Sequence, residues 1–490
     1  MMHYGASGWR GVLGDDFTFQ SVRRVAHVLS QYVKENPEFG VSSPEYRNLL
    51  GGSKAPAPVV VIGYDPRFLA EELAHEAAAV FASDGVKTLV SKGDIPTPAV
   101  GCAVRRHHAV GGLTVTGSHL PAESGGLKWT PFWGGAAPPS ITSDIDRRLE
   151  LLGNHPIKTM AIDRSLRESW IVETDFREEY FQQVLSLLDV KAIKKARLKV
   201  GVDVMHGSAR LYLRPLLERL GVEVTALREK RDVLFGGAAP EPSPASLTGL
   251  AEAMKRQRLH LGLATDGDGD RFGVLDSDGS WLCADDILGM VFEHLTAGRG
   301  LKGKVVRSVV TSHFVDAVAK SHGLETRETQ VGFRHIGEHL RTGQYLLGGE
   351  ESGGLTIAGH VPDKDGILAC LLVLEVAAAE GVPLAKFRDR LFKKVGAFHH
   401  GRDFLRMERS RQVLEVEERL RVRPPLDLGG GSVWRIDQSD GFKFILRDGS
   451  WLCLRSQPPE PVFRIYAEAP TPERLEALVS AGKKLLQGRF

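Results

Sequence analysis

The sequence predicts an α/β protein of several domains, with mostly parallel sheets, that ends in an antiparallel α+β domain. Three observations carry this. β-branched apolar runs alternate with amphipathic stretches of helical period through most of the chain. That alternation recurs three times with a similar element order, a repeat of about a hundred residues. After about residue 395 it gives way to short alternating strands and one terminal helix. A chain of 490 residues exceeds what one core organises, so about two to four domains are expected.

In the first unit Phe17, Val22, Val25, Val28, Leu29 and Val33 recur at helical spacing and predict a helix over 17–34. Residues 35–57, rich in Pro, Gly, Ser and Asn, read as a loop. Val59–Gly63 is a β-branched run and reads as a buried strand. Asp65-Pro66-Arg67 follows it, then a helix over Phe68–Ala82, a strand over Lys87–Val90, a helix over Thr97–His108 and a strand over Ala109–Val115. The segment from there to Lys128 and then Thr130–Ser140 read as loops, before a helix over Ile141–Leu152. The second unit reads as helix Arg177–Leu188, strand Lys199–Val204, helix Leu211–Leu220, strand Val222–Ala226, helix Ala245–Gln257 and strand Leu261–Ala264. The third alternates strands Val305–Val310, Glu325–Thr329 and Tyr345–Leu347 with helices Phe314–His322, Ile336–Arg341 and Gly366–Ala379. In the last unit Val433–Ile436, Phe442–Leu446, Trp451–Leu454 and Phe463–Ala467 read as strands, and Pro472–Gln487 as an amphipathic helix.

Composition narrows the partners. Sixty-three basic and 61 acidic residues leave a formal net charge of +2, which gives no argument for nucleic acid. The longest apolar stretch, Ile367–Ala379, is too short to span a membrane and contains Glu375. The N-terminal residues lack the apolar core of a signal peptide. Cys102, Cys283, Cys370 and Cys453 lie far apart without a CxxC pair. They read as reduced thiols of a cytoplasmic protein, and no zinc site is expected.

Chemistry concentrates in loops that follow strands, where α/β folds place their sites. Thr116-Gly-Ser-His-Leu-Pro leads to Lys128, and Ser118 stands uncrowded as a nucleophile, a phosphate carrier or an ordinary turn serine. Asp266, Asp268 and Asp270 alternate with glycines directly after a strand. Three carboxylates converge only around positive charge, which a hard divalent cation supplies through oxygen ligands; otherwise the stretch is a solvated acidic turn. An EF-hand loop is excluded, because its sixth position is Arg271 and its twelfth is Ser277. Gly348-Gly-Glu-Glu-Ser-Gly-Gly354 offers Glu350 and Ser352 to the hydroxyls of a substrate, or is a plain turn. Arg455 and Arg464 flank a Pro-rich segment between two strands, and either grip an anion or decorate a rigid hairpin. Gly5–Gly11, around Arg10, is a flexible backbone able to approach an anion, or a frayed terminus. His313, His399 and His400 lack a metal-ligand pattern and read as core or surface residues.

Together these loops resemble one family, the α-D-phosphohexomutases (phosphoglucomutase/phosphomannomutase), over essentially the whole chain. Gly5–Gly11 resembles the family's Thr-Ser-Gly-x-Arg-Gly start. Residues 116–128 resemble its Thr-Ala-Ser-His-Asn-Pro…Asn-Gly-x-Lys loop, Asp266–Arg271 its metal loop, Gly349–Gly353 its sugar loop and residues 455–466 its phosphate loop.

The resemblance implies three α/β domains with mixed sheets and a C-terminal α+β domain around a central cleft. Residues 1–168 would carry the phosphoserine loop, 169–279 the metal loop, 280–393 the sugar loop and 394–490 the phosphate-binding loop. It implies a phosphohexomutase that interconverts hexose 1-phosphate and hexose 6-phosphate, glucose preferred and mannose possible. Ser118 would carry the phosphoryl group and, with Asp266, Asp268 and Asp270, hold Mg²⁺. Glucose 1,6-bisphosphate would serve as activator and intermediate. His119, Lys128 and Arg10 are expected in catalysis, Arg271, Arg334, Glu350 and Ser352 on substrate, and Arg455 and Arg464 on phosphate. The partner is a small sugar phosphate, with no nucleic acid and no membrane, and the chain is a monomer or a dimer.

Two departures stand out. Leu120 and Gly117 replace the family's Asn and Ala. Gln457, Pro458 and Pro459 stand where Ser, Gly and Thr usually bind the non-reacting phosphate, and proline has no N–H to donate. This predicts a weaker phosphate grip and a raised KM. The altered loop also motivates two alternatives, a sugar-phosphate-binding protein and a phosphatase.

Overall fold

A computed structural model describes residues 8–36, 38–50, 58–153, 155–381, 383–457 and 460–488. They fall into two compact units, Met1–Ala284 with Phe333–Leu384, and Asp285–Gly332 with Ala385–Phe490.

The first unit contains a six-stranded mixed sheet in the spatial order Trp9–Val12, Ser124–Pro131, Gly111–Val115, Val59–Tyr64, Lys87–Ser91 and Ile171–Thr174. The Val59–Tyr64 run lies parallel to both neighbours and is buried almost throughout, which is why it is apolar without alternation. Helix Phe19–Glu35 starts at a Thr18–Ser21 capping box and turns Val22, Val25, Val28, Leu29 and Val33 into the core. A five-stranded sheet follows in the order Trp281–Leu282, Phe272–Leu275, Leu261–Thr265, Lys199–Asp203 and Glu223–Leu227. Its last three strands are parallel, whereas Phe272–Leu275 runs antiparallel to its neighbours. The first unit also holds the antiparallel pair Tyr345–Glu350 and Gly354–Ile357.

The second unit holds the parallel pair Lys304–Ser308 and Thr326–Thr329. Its largest sheet is wholly antiparallel, in the order His399–Arg406, Glu460–Ala469, Trp451–Gln457, Phe442–Leu446, Gly431–Asp437 and Asp427–Leu428. Helix Pro472–Leu486 packs on it, with Pro472 at its first position and Thr471 as its cap. Three α/β domains therefore precede a C-terminal α+β domain. A charged knot lies inside this unit. The buried Lys443 ammonium donates to Glu328 at 2.8 Å and to the Val309 carbonyl at 2.7 Å, and Arg307 donates to Glu328 at 2.6 Å. His313 lies beside Lys443 and Trp451, and His400 beside Asp286.

Four expectations need correction. Lys128 is not on a loop. It lies on strand Ser124–Pro131, whose Gly125 and Gly126 conceal its apolar pattern. A Cβ at Gly125 would lie 2.1 Å from the Phe17 ring, so only glycine lets the strand pass there. Gly348–Glu350 likewise continues strand Tyr345–Glu350 rather than leaving it. Arg455 and Arg464 sit on two neighbouring strands, directly opposite each other in register, not on the connection. Finally, the 35–57 segment contains a helix, Pro44–Leu49, capped by Ser43. It is too short to show a period and buries only Tyr46. Among the described residues no single helix is long and apolar enough to cross a membrane.

Candidate active site

Strand Gly111–Val115 ends at Thr116, and the next turn places Ser118 in a left-handed backbone conformation, φ 54°. That conformation is costly for serine and needs outside support. Asp65 and Arg67, just beyond the neighbouring strand, provide it. The Asp65 Oδ2 accepts from the Thr116 hydroxyl at 2.7 Å and from the Gly117 N–H at 3.2 Å. The buried Arg67 guanidinium donates to four carbonyls of the loop, Ser118 and Leu120 at 2.7 Å, Pro121 at 2.5 Å and Ser124 at 3.0 Å. Its Nε reaches Asp65 Oδ2 at 3.0 Å, and Arg67 also lies over the Phe235 ring at 4.7 Å. Arg10, on strand Trp9–Val12, donates to the Thr116 carbonyl at 2.9 Å from the other side. The Gly5–Ser7 part of the N-terminal motif lies outside the described residues.

The acidic loop leaves the end of strand Leu261–Thr265 and abuts this turn. A Cβ at Gly267 would lie 2.5 Å from the Ser118 carbonyl, so glycine permits the approach. Asp266 turns the loop inward, its Oδ1 accepting from the N–H groups of Asp270 at 2.9 Å and Arg271 at 3.0 Å. The Ser118 hydroxyl donates to Asp266 Oδ2 at 3.3 Å. Lys128 donates to Asp268 Oδ2 at 2.6 Å and Asp270 Oδ2 at 2.7 Å, and the Thr97 hydroxyl donates to Asp268 at 2.7 Å. Lys364 approaches Asp270 Oδ2 at 2.8 Å.

These three carboxylates are completely buried, and each offers an oxygen within 4.8 Å of the others. Asp268 Oδ1 and Asp270 Oδ1 have no hydrogen-bond partner among the described residues. Buried, orphaned carboxylate oxygens facing one another are a donor set that fits a hard divalent cation.

The electrostatics are uneven. Burial disfavours the charged form of Asp268, yet the Lys128 ammonium overrides it and holds this carboxyl far below its ordinary range. Asp266 is pushed up by burial and then by its two carboxylate neighbours. Burial, then the Arg271 charge, lowers His119 to about 3, so its imidazole is neutral at physiological pH. Its Nδ1 lies 3.5 Å from the Ser118 hydroxyl.

The same unit holds the expected sugar residues. Buried Glu350 and half-buried Ser352 lie at the hairpin turn closed by Gly353. The Gly353 carbonyl accepts from the Phe272 N–H at 3.1 Å, which ties this turn to the strand that follows the acidic loop. Arg271 pairs with Glu241 at 3.0 Å, and Arg334 lies on helix Phe333–Leu340 with its Nε 3.3 Å from His335. Arg455 and Arg464 belong to the second unit. Arg455 pairs with Asp440 at 2.8 Å, and the exposed Arg464 donates to the Gln457 side chain. Pro458 and Pro459 lie outside the described residues.

Three family models match consecutive parts of the chain. They are described as phosphoglucomutase/phosphomannomutase alpha/beta/alpha domain I over residues 46–153, domain II over 178–279 and domain III over 284–395. A Methanothermobacter thermautotrophicus protein named a probable phosphoglucosamine mutase is 30% identical over 96% of this chain and 94% of its own length. The chain belongs to the phosphoglucomutase/phosphomannomutase family. It is a phosphohexomutase, an isomerase. A Thermococcus kodakarensis protein named phosphoglucomutase/phosphomannomutase is 28% identical over 99% of this chain and 98% of its own. The crystal structure of a putative phosphomannomutase from Thermus thermophilus superposes with a TM-score of 0.82 at 29% identity, covering 99% of both chains.

Several residues of this phosphohexomutase centre escape a motif-based reading. Asp65 and Arg67 act on the serine loop across about fifty residues of sequence. Their signal is a charged pair placed directly after a buried strand. Thr97 and Lys364 reach the acidic loop from 171 and 94 residues away, and nothing local marks them.

Proposed function

We propose that this phosphohexomutase interconverts hexose 1-phosphate and hexose 6-phosphate, with glucose preferred and mannose accepted, through a phosphoryl group carried on Ser118. The observation that carries this is the 3.3 Å contact between the Ser118 hydroxyl and Asp266, inside a ring of buried aspartates held by Lys128. A pure sugar-phosphate binder has little use for a nucleophile beside a cation site. A phosphatase would release inorganic phosphate without forming glucose 6-phosphate.

Asp266, Asp268 and Asp270, with the phosphorylated Ser118, would hold Mg²⁺, which supplies charge neutralisation to a transferring phosphoryl group. The remaining roles belong to side chains. The Arg67 clamp and Asp65 orient the Ser118 hydroxyl. Lys128, poised between two carboxylates, exchanges a proton with the reacting sugar hydroxyl. Neutral His119 faces the serine as a hydrogen-bonding neighbour rather than a cation. Arg10 and Arg271 add positive charge around the transferring group. Glu350 and Ser352 accept and donate to the sugar hydroxyls, and Arg334 contributes to substrate binding. Arg455 and Arg464 grip the non-reacting phosphate. Glucose 1,6-bisphosphate is the intermediate, and in trace amounts the activator that restores the phosphoserine.

The Glu350-Glu351-Ser352 loop favours glucose over glucosamine. The relative named a probable phosphoglucosamine mutase supports the second substrate as the competing reading. A coupled assay with trace glucose 1,6-bisphosphate and Mg²⁺ compares kcat/KM for glucose 1-phosphate, mannose 1-phosphate and glucosamine 1-phosphate. The highest value for glucose 1-phosphate supports this assignment, and the highest value for glucosamine 1-phosphate replaces it with the competing one.

A further inference from the structure

A cavity of about 800 Å³ opens in the first unit, and none of its lining residues belongs to the Ser118 centre. Its size suits a metabolite rather than a single water. Its wall joins the ends of helices Pro44–Leu49, Thr97–Arg106 and Phe333–Leu340, one side of helix Arg177–Leu185, Phe132 with Trp133, and the turn 357–362.

The charges of this wall do not cancel. Its two carboxylates are already engaged, Glu45 by Arg341 at 2.6 Å and Glu179 by His107 at 3.1 Å. Arg341 also lies 3.9 Å over the Trp133 ring. Arg105 is fixed by its bond to the His360 carbonyl at 3.0 Å. Arg106 and His108, both exposed at the cavity, have no side-chain ion pair or hydrogen bond among the described residues. His108 is held in a left-handed conformation, φ 48°, and its carbonyl accepts the Tyr46 hydroxyl at 2.8 Å. A backbone pinned this way fixes where the His108 side chain leaves the chain.

The turn residue His360 belongs to the cavity wall, and its side chain is fully buried, with Nε2 2.8 Å from Asp365. Its Nδ1 finds no partner among the described residues. Asp365 accepts from the Tyr180 hydroxyl as well.

We propose that this cavity is a second ligand site, for a small organic anion bearing a phosphate or carboxylate, coupled to the mutase centre through residues 357–365. Arg106 and His108 receive the anion while Trp133, Phe132 and Val361 receive its body. The coupling is covalent and short. The turn at the cavity wall continues directly into Lys364, whose ammonium lies 2.8 Å from Asp270, and Asp365, which caps helix Gly366–Glu380 through the Leu368 N–H at 2.9 Å. A ligand that moves this turn would be felt at that cation.

Equilibrium dialysis of the full chain tests the site with two probes, adenosine 5′-monophosphate for the phosphate class and citrate for the carboxylate class, in magnesium-free buffer. The binding arm holds or fails independently of the mutase reading. The expected result is saturable binding of at least one probe with Kd below about 1 mM. Arg106→Glu should weaken it by about tenfold or more with basal mutase activity unaltered. The probe that binds identifies the anion class. Absence of saturable binding by the wild type, or equal affinity in Arg106→Glu, would each overturn the site. The bound probe should also shift kcat or KM for glucose 1-phosphate in the wild type and not in Arg106→Glu. Unchanged kinetics at saturation would overturn the coupling.

Discussion

Arg67 donates to the Ser118 carbonyl at 2.7 Å, and the same guanidinium holds the carbonyls of Leu120, Pro121 and Ser124. One buried side chain thus fixes the whole loop that presents the serine in its left-handed conformation. Among the described residues Asp65 is the one carboxylate it bonds.

Arg67→Met should therefore disorder the serine loop and leave Asp65 as an uncompensated buried charge. The expected cost is about 3 kcal/mol of folding stability. Turnover should fall by about a hundredfold or more, from loss of orientation. Thermal melting and single-turnover formation of phosphoserine check the two effects. A loop that orders itself would keep normal phosphoserine formation despite the lower melting temperature.

Lys128 bridges Asp268 and Asp270 at 2.6 and 2.7 Å and is the proton-exchanging group assigned to the sugar hydroxyl. Lys128→Met should reduce kcat by about a thousandfold. Cation binding should survive, because the variant retains all three aspartates and loses a competing charge. Calorimetric titration with Mg²⁺ beside steady-state kinetics separates these roles. Loss of Mg²⁺ binding together with turnover would make Lys128 a structural counterion instead.

How much of this was legible in the sequence follows from what each residue's neighbours are. The Asp266–Asp270 loop announces itself, because carboxylates alternating with glycine after a strand have few other uses. The β-branched strand Val59–Tyr64 and the capped helix Phe19–Glu35 are legible for the same local reason, since period and composition agree. Strand Ser124–Pro131 is not, because its glycines answer to Phe17 and Trp9 across the fold rather than to their own neighbours. Arg67 reads as an ordinary polar residue after a strand, and only the folded chain shows the four carbonyls it holds. Lys364 is separated from Asp270 by 94 residues, so no spacing rule finds it.

In the second unit the Glu328 carboxyl is held below its ordinary value of 4.5. Burial opposes this, but His313, Arg307 and Lys443 together outweigh it. A depressed acid contributes stability that is present above pH 4.5 and is lost as the pH falls through its folded value. Glu328→Gln should lower neutral-pH stability by roughly 3 kcal/mol, since Lys443 is then buried without its counterion. The variant should also lose this group's share of acid destabilisation, so the two melting curves converge below pH 4.5. Melting temperatures measured from neutral to acid pH check this. A constant gap between wild type and variant would contradict it.

Arg464 donates to Gln457, a residue that stands where the family usually places serine. Arg464→Ala should raise KM for glucose 1-phosphate by about tenfold with a smaller change in kcat, the loss of one charge-assisted phosphate contact. Gln457→Ser, which releases the guanidinium, should lower KM. Initial-rate kinetics on both variants provide the check, and an unchanged KM in Arg464→Ala would remove that arginine from the phosphate site.

The central claim is that Ser118 carries the phosphoryl group. Intact-protein and peptide mass spectrometry after exposure to glucose 1,6-bisphosphate and Mg²⁺, on wild type and Ser118→Ala, tests it most directly. The account predicts one phosphoryl group on the peptide containing Ser118, its absence in the variant, and loss of glucose 6-phosphate formation with it. Turnover that persists in Ser118→Ala, or a phosphoryl group on any other residue, would contradict it.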